Sequence, residues 1–203
     1  MRLVLASASP RRAELLRAAG FAFEILAVDL DERVREGEAA SVYVERLARD
    51  KAGAALQRFE ERAQRSCRGP ERAALDDLVV LGADTAVVVD GTILGKPRDD
   101  REAARMLASL SGRRHDVLTG VCLRSSSGER GRVETTGVYM SALTADDIAW
   151  YVASGEGRDK AGAYAVQGLA SRFVTGIEGS YSNVVGLPIA TVSTLLRELA
   201  STG

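Results

Sequence analysis

Leu78-Val-Val-Leu-Gly-Ala-Asp-Thr-Ala-Val-Val-Val89 is the strongest strand signal in the chain, and Asp90-Gly91 leads from it into Thr92-Ile-Leu94. Aliphatic and β-branched side chains fit a pleated, buried surface, and Asp-Gly favours the primed two-residue turn of a hairpin. The stretch therefore predicts a buried strand over 78–89 and a return strand over 92–94. One residue is out of place in it. A carboxylate that is buried, ionised and unpaired costs several kcal/mol, so Asp84 is expected to face a cleft, a cation or a lysine. The alternative is a bend in the strand where Asp84 bonds nearby backbone.

Outward from this strand, short apolar runs alternate with helical periods. Residues 3–6 and 21–26 read as strands. Between them Ser9-Pro10 starts a helix, because Ser is a favoured N-cap and Pro is pre-set for the first helical position. Leu15, Leu16 and Ala19 give that helix its apolar face, and Gly20 ends it. Residues 29–37 are acidic and irregular. A longer helical period runs over 40–59 through Val44, Leu47, Lys51 and Ala55. Asp99 or Asp100 caps a helix to Leu110, with Asp99 and Glu102 at capping-box spacing, and Gly112 closes it. Residues 116–124 and 132–142 read as long strands joined by a polar turn, and Thr144 caps a helix to Ala153. A glycine-rich loop over 154–168, a strand over 173–177 and a helix from Pro188 to Ala200 complete the pattern. Such alternation predicts an α/β fold with a mixed sheet. Residues 60–77 are expected to extend a helix and then form a surface loop inside one domain covering 1–203.

Composition narrows the function. The 203 residues carry a formal net charge of −1, which disfavours general nucleic-acid binding through a basic surface. No apolar run approaches the roughly 20 residues that span a bilayer, and the first six residues are too short for a signal core. The two cysteines, Cys67 and Cys122, are expected to be unpaired thiols in a reducing cytoplasm. With the single histidine, His115, they make a zinc site improbable; His115 is expected to be structural. Of the 27 basic residues only three are lysines, Lys51, Lys96 and Lys160. A chain drifting this far toward Arg keeps a Lys either by chance or because a compact ammonium is needed there.

Familiar nucleotide motifs fail on inspection. Gly95-Lys96 ends like a P-loop, but Pro97 stands for the Ser/Thr and Asp90 for the first glycine; Gly155-x-Gly157 has Lys160 where its third glycine belongs. Ser7-Ala-Ser9-Pro10-Arg11-Arg12 is more informative. A helix start offers unpaired N–H groups and a positive dipole end, two arginines add planar donors, and the serines add hydroxyls. Together they suit phosphate oxygens; the plainer reading is a capped helix with solvated arginines. Glu32 could help hold a divalent cation, although spacing alone reads as a solvated acidic loop. Lys96, twelve residues after Asp84 across the hairpin, could approach that carboxylate. Lys51 lies on the long helix, and Lys160 shares the glycine-rich loop with Gln167. An anion-binding helix start, a strand carboxylate and separate ammonium groups are the parts for metal-assisted attack of water on a phosphoanhydride.

Leu5-Ala-Ser-Ala-Ser-Pro-Arg-Arg-Ala-Glu-Leu-Leu16 resembles the opening signature of the Maf nucleoside triphosphate pyrophosphatases. The resemblance continues in order through Arg46-Leu-Ala-Arg-Asp-Lys-Ala52, Gly82-Ala-Asp-Thr85, Gly95-Lys-Pro97, Asp159-Lys-Ala-Gly-Ala-Tyr164, Val166-Gln-Gly168 and Gly179-Ser-Tyr-Ser-Asn-Val-Val-Gly-Leu-Pro188. It implies an α/β fold with an elongated mixed sheet and a cleft between two lobes (Maf/ITPase-like). It also implies hydrolysis of nucleoside triphosphates to monophosphate and pyrophosphate with a divalent cation, Mg²⁺ or Mn²⁺, in a cytoplasmic protein that commonly forms homodimers. By the same resemblance Asp84 matches the proton acceptor, and Glu32, Lys51 and Lys96 match polar cleft residues, with Glu32 and Asp84 at the metal. Ser7, Ser9 and Arg11 would meet phosphates, while Arg12, Thr85 and Gln167 match positions tied to substrate choice. Lys160 and Gln167 resemble the branch acting on dTTP and UTP. The branch acting on 7-methylguanosine triphosphate has a Cys before Ala-Gly and a Glu at the position of Gln167. A glutamine offers a pyrimidine edge both donor and acceptor. Residues 60–77 look longer than the family pattern. A non-catalytic regulator of septum formation is the alternative from another class.

Overall fold

The computed structural model describes residues 1–65, 75, 77–126 and 128–201. In chain order its elements are β1 (Arg2–Leu5), α1 (Pro10–Ala18), β2 (Glu24–Ile25), α2 (Ala40–Arg65), β3 (Leu78–Val89), β4 (Thr92–Leu94), α3 (Asp100–Leu110), β5 (Arg114–Ser125), β6 (Gly128–Met140), α4 (Ala145–Ala153), β7 (Val174–Glu178), α5 (Tyr181–Val185) and α6 (Ile189–Ala200). Short 3-10 turns occupy Ala161–Ala163 and Leu169–Arg172. The strands form one mixed sheet in the order β2-β1-β3-β5-β6-β7, with β4 also on β3. β2, β1 and β3 run parallel, and β3, β5, β6 and β7 are successively antiparallel.

The predicted hairpin forms as its turn chemistry demands. Asp90 and Gly91 have φ of 49° and 76°, the left-handed pair of a primed turn, and Val89 faces Thr92. More consequential is how β3 shares one of its edges. β1 pairs with it along Leu78–Leu81 and β4 along Val87–Val89, so neither pairs with residues 82–86. The sheet has a gap there, and Asp84 and Thr85 lie in it.

The two halves of β3 are covered by different helices, giving two lobes. Leu16 of α1 and Leu195 of α6 pack with Leu81 and Leu123 over the first half. Leu107 and Leu110 of α3, with Tyr151 of α4, pack on Val87, Val89 and Val117 over the second. The opposite face is crossed by α2, whose Ala48 and Ala52 meet Val80 and whose Val44 and Leu47 meet Ala86. Two glycines make that crossing close. A Cβ at Gly82 would overlap the Ala48 carbonyl oxygen, and one at Gly120 the Val44 carbonyl oxygen. Gly120 is the β5 partner of Asp84, so α2 is seated directly against the strand carboxylate.

Several expectations shift at their edges. The strand read over 21–26 shortens to Glu24–Ile25, both exposed, while Phe21, Phe23 and Leu26 are partly buried against the core. α2 continues to Arg65; residues 66–74 and 76 of the loop read beyond it, with Cys67, lie outside the described residues. Cys122 is an unpaired, buried thiol. Ser9 occupies the N-cap position of α1 but makes no side-chain cap bond. Asp99 caps α3 by accepting from Glu102 N at 2.7 Å, while Glu102 accepts from Arg98 N at 2.7 Å instead of closing the box. Thr144 and Asp147 close a full capping box at α4. α5 is a five-residue helix that its neighbours impose, too short to carry an apolar period.

Candidate active site

A cavity of about 540 Å³ opens at the gap in the sheet, and it collects every residue picked out above: Ser7, Ser9, Arg11 and Arg12 from the β1–α1 turn, Glu32, Lys51, Asp84, Thr85, Lys96, Lys160 and Gln167. The topology explains the convergence. The turn after β1 and the turn after β4 flank the unpaired edge of β3, and the 154–168 loop closes the cavity from the second lobe, with Gly162 N donating to Gly95 O at 3.1 Å. Ligands in open α/β sheets gather at such breaks beyond the strand ends.

At its floor Lys51 Nζ lies 2.6 Å from Asp84 Oδ1 and 2.6 Å from Glu32 Oε1. Lys51 and Asp84 are buried, so the strand carboxylate is paired as the cost of burial requires. Asp84 Oδ2 has no partner among the described residues. Glu32 stays exposed, as the spacing suggests, but it also pairs with Lys51, and Tyr43 Oη on α2 donates to the Glu32 carbonyl at 2.9 Å. Burial pushes the Glu32 carboxyl up, but the Lys51 hydrogen bond and the charges of Lys51, Lys96 and Arg12 outweigh it and hold the group below its ordinary range.

Arg12 corrects the picture of two solvated arginines. Its guanidinium is buried and donates to Gly186 O and Ala83 O, each at 2.8 Å, to Ser7 Oγ at 3.2 Å and to Thr85 Oγ1 at 3.0 Å. Ala83 O belongs to the unpaired edge of β3, so the side chain satisfies backbone that no strand reaches. Burial lowers its pKa, and the nearby charges of Asp84 and Glu32 oppose that shift. Arg11 is half-buried, and across the cavity it senses Asp159, Tyr151 and Glu156. Of the arginine pair, Arg12 braces the wall and Arg11 faces the opening.

Lys96 is exposed on the rim, with no ion-pair partner among the described residues; its charge reaches Glu32, and no direct contact joins it to Asp84. Lys160 is paired with its neighbour Asp159. Three contributors escaped the sequence reading. Tyr43 lies eight residues before Lys51 on one helix face, a spacing that could have flagged it. Tyr164 lines the cavity, and its hydroxyl lies 2.7 Å from Nε2 of buried His115. The carbonyl of Gly186 comes from a loop 174 residues from Arg12, and nothing local signals it. A second groove, of about 720 Å³, lies on the other side of the 29–37 segment and is lined by Arg33, Arg46, Arg49 and Arg124. Each of these is paired with a carboxylate, so that groove concentrates little free charge.

The donor set suits a hard cation that arrives with its ligand. Mg²⁺ and Mn²⁺ prefer oxygen, and Mg²⁺ commonly binds through one or two carboxylates plus substrate phosphates. Glu32 and Asp84 supply two carboxylates. Among the described residues no group of three or more His, Cys, Asp or Glu side chains could hold a metal unaided.

Comparison with known proteins gives the family of the chain. The family model described as Maf-like protein matches residues 2–199. A dTTP/UTP pyrophosphatase of Anaeromyxobacter sp. (strain Fw109-5) is 50% identical over 201 residues, 97% of this chain and 88% of that protein. Another protein of that name, from Methylobacillus flagellatus, is 50% identical over 97% of this chain and 92% of its own length. One from Acinetobacter baylyi is 42% identical over 96% and 98%. Among solved structures the Staphylococcus aureus Ham1 protein superposes with a TM-score of 0.44 at 16% identity, over 69% of this chain and 72% of that one. With a family model spanning almost every residue and half of all positions shared with full-length relatives, the chain belongs to the Maf-like protein family.

Proposed function

We propose that the protein hydrolyses dTTP and UTP to the nucleoside monophosphate and pyrophosphate, with Asp84 as the proton acceptor. The observation that carries the reading is the Glu32–Lys51–Asp84 cluster at the floor of a cavity whose opposite wall is the start of α1. The names of the relatives support the pyrimidine substrates, and Lys160 and Gln167 fit that branch better than the one acting on 7-methylguanosine triphosphate.

In this reading the triphosphate lies along the α1 start, where backbone N–H groups, Ser7, Ser9 and Arg11 take its oxygens. Lys51 fixes Oδ1 of Asp84, leaving Oδ2 to take a proton from water. That water adds to the α-phosphorus, the bridging bond to the β-phosphate breaks, and pyrophosphate leaves. Lys96 and Lys160 stabilise the charge that grows on the departing oxygens. Glu32 and Asp84 would hold a divalent cation, which supplies charge neutralisation on the phosphates. Gln167 reads the base with its amide. We place the enzyme in the cytoplasm as a single-domain subunit of a homodimer; no described helix is long and apolar enough to cross a membrane.

A panel of nucleoside triphosphates with Mg²⁺ tests the reading. The largest kcat/KM is expected for dTTP and UTP, and chelation by EDTA is expected to lower turnover at least 100-fold, restored by excess Mg²⁺. Preference for a purine, or turnover indifferent to EDTA, contradicts it.

A further inference from the structure

We propose that Tyr151 and Glu156 form a clamp that positions Gln167, and so sets the preference for the pyrimidine base; the inference rests on the activity proposed above. Gln167 is exposed in the cavity wall, and its side chain has no partner among the described residues. Its backbone is held from both sides. Two residues before it, Ala165 N donates to the Tyr151 hydroxyl at 3.0 Å, and that hydroxyl donates to Glu156 Oε2 at 2.8 Å. Two residues after it, Leu169 N donates to the other oxygen, Glu156 Oε1, at 3.0 Å. Gly168 N closes the turn between them on Ala165 O at 3.1 Å. One hydroxyl and one carboxylate thus bracket the five residues centred on Gln167.

The surroundings are built for this bracket. A Cβ at Gly168 would overlap Glu156 Oε1, so the glycine is what lets the carboxylate reach Leu169 N. Tyr151 is 1% exposed and packs edge-on against Phe173, which ties the clamp to the core of the second lobe. Glu156 has no arginine or lysine partner within ion-pair distance among the described residues; both its oxygens serve the loop.

A glutamine amide distinguishes a 4-oxo pyrimidine from a 4-amino one only if its oxygen and nitrogen are presented in a fixed order, because the two bases exchange acceptor and donor at that edge. A loop free to shift would present either order. Tyr151 and Glu156 touch no reacting atom, so they are positioning residues, and loosening them should weaken recognition of the base and spare the chemical step.

The experiment measures kcat and KM for dTTP and dCTP in the wild-type protein, Glu156→Ala, Glu156→Gln and Tyr151→Phe, with amide exchange read at Ala165 and Leu169. Glu156→Ala and Tyr151→Phe are expected to raise KM for dTTP about 5- to 10-fold and shrink the dTTP-over-dCTP preference similarly, with kcat within about twofold. Glu156→Gln, which keeps an oxygen for Leu169 N, is expected to restore KM and preference. Amide exchange at Leu169 should quicken in Glu156→Ala alone of the Glu156 pair. Because Glu156 is only partly buried, that pair decides the matter even if Tyr151→Phe fails to fold. Wild-type KM and preference in Glu156→Ala, or unaltered exchange at Leu169, overturns the clamp. A wild-type protein that releases no pyrophosphate from dTTP defeats the functional reading instead, and the exchange arm still decides the bracket.

Discussion

The proposed mechanism concentrates the chemistry in the side chain of Asp84, and a substitution there separates catalysis from architecture. Asp84→Asn keeps an oxygen for Lys51 but loses the capacity to accept a proton, so turnover should fall about 10²- to 10⁴-fold while the thermal midpoint stays near that of the wild type. A variant that unfolds would make Asp84 a structural residue. Lys96→Arg probes the scarcity of lysine: a broad, planar guanidinium does not reproduce a compact ammonium, and kcat/KM is expected to drop about 10-fold. Full activity would mean the lysine is there by chance. Asp84 was legible because a carboxylate inside an apolar strand demands an explanation. Glu32 was legible mainly through the family resemblance, because its contact with Lys51 depends on how an irregular segment crosses α2. The burial of Arg12 was hidden for a related reason, since its acceptors at Ala83 and Gly186 are backbone carbonyls that any residue types could supply.

Elements position these side chains through close backbone approach. Gly82 admits the Ala48 carbonyl of α2, and one helical turn on, Lys51 reaches Asp84. Gly82→Ala should therefore destabilise the protein by about 3 kcal/mol or more, because the obstructing atom is backbone that cannot rotate away. A urea titration checks the stability, and a parallel loss of turnover would show Lys51 displaced. Unchanged stability would mean that α2 has room to shift. The hairpin at Asp90-Gly91 and the caps at Asp99 and Thr144 were readable because turn and cap chemistry is local. α5 was not, because five residues carry no period and Asn183 is held by carbonyls of Val117 and Glu134 from strands far away in sequence. The gap in β3 was equally hidden: it follows from where β1 and β4 stop pairing, a property of three strands together.

At the scale of the whole molecule, stability and activity respond to different groups. Burial pushes His115 down to about 4, from an ordinary value of 6.5. Below about pH 6.5 the unfolded chain takes up a proton there that the folded protein refuses until about pH 4, so stability is full above that window and falls as pH drops through it. The loss should total about 3 kcal/mol across the window, read from urea midpoints. His115→Gln, which can still bond Tyr164, should flatten the decline. Carboxyls held down by arginines, such as Glu38 beside Arg46, act only below their ordinary range near 4.5 and leave the upper part of the window to His115. A wild-type midpoint that is level between pH 7 and 5 would contradict this assignment. The proposed catalysis rests instead on the cavity at the gap in β3, and its core is a carboxylate-driven cut between the α- and β-phosphates. Phosphorus NMR of UTP incubated with Mg²⁺ and either the wild-type protein or Asp84→Asn tests that claim most directly. UMP and pyrophosphate from the wild type, with intact UTP from the variant, is the predicted result; UDP and inorganic phosphate, or equal turnover by both proteins, would contradict it.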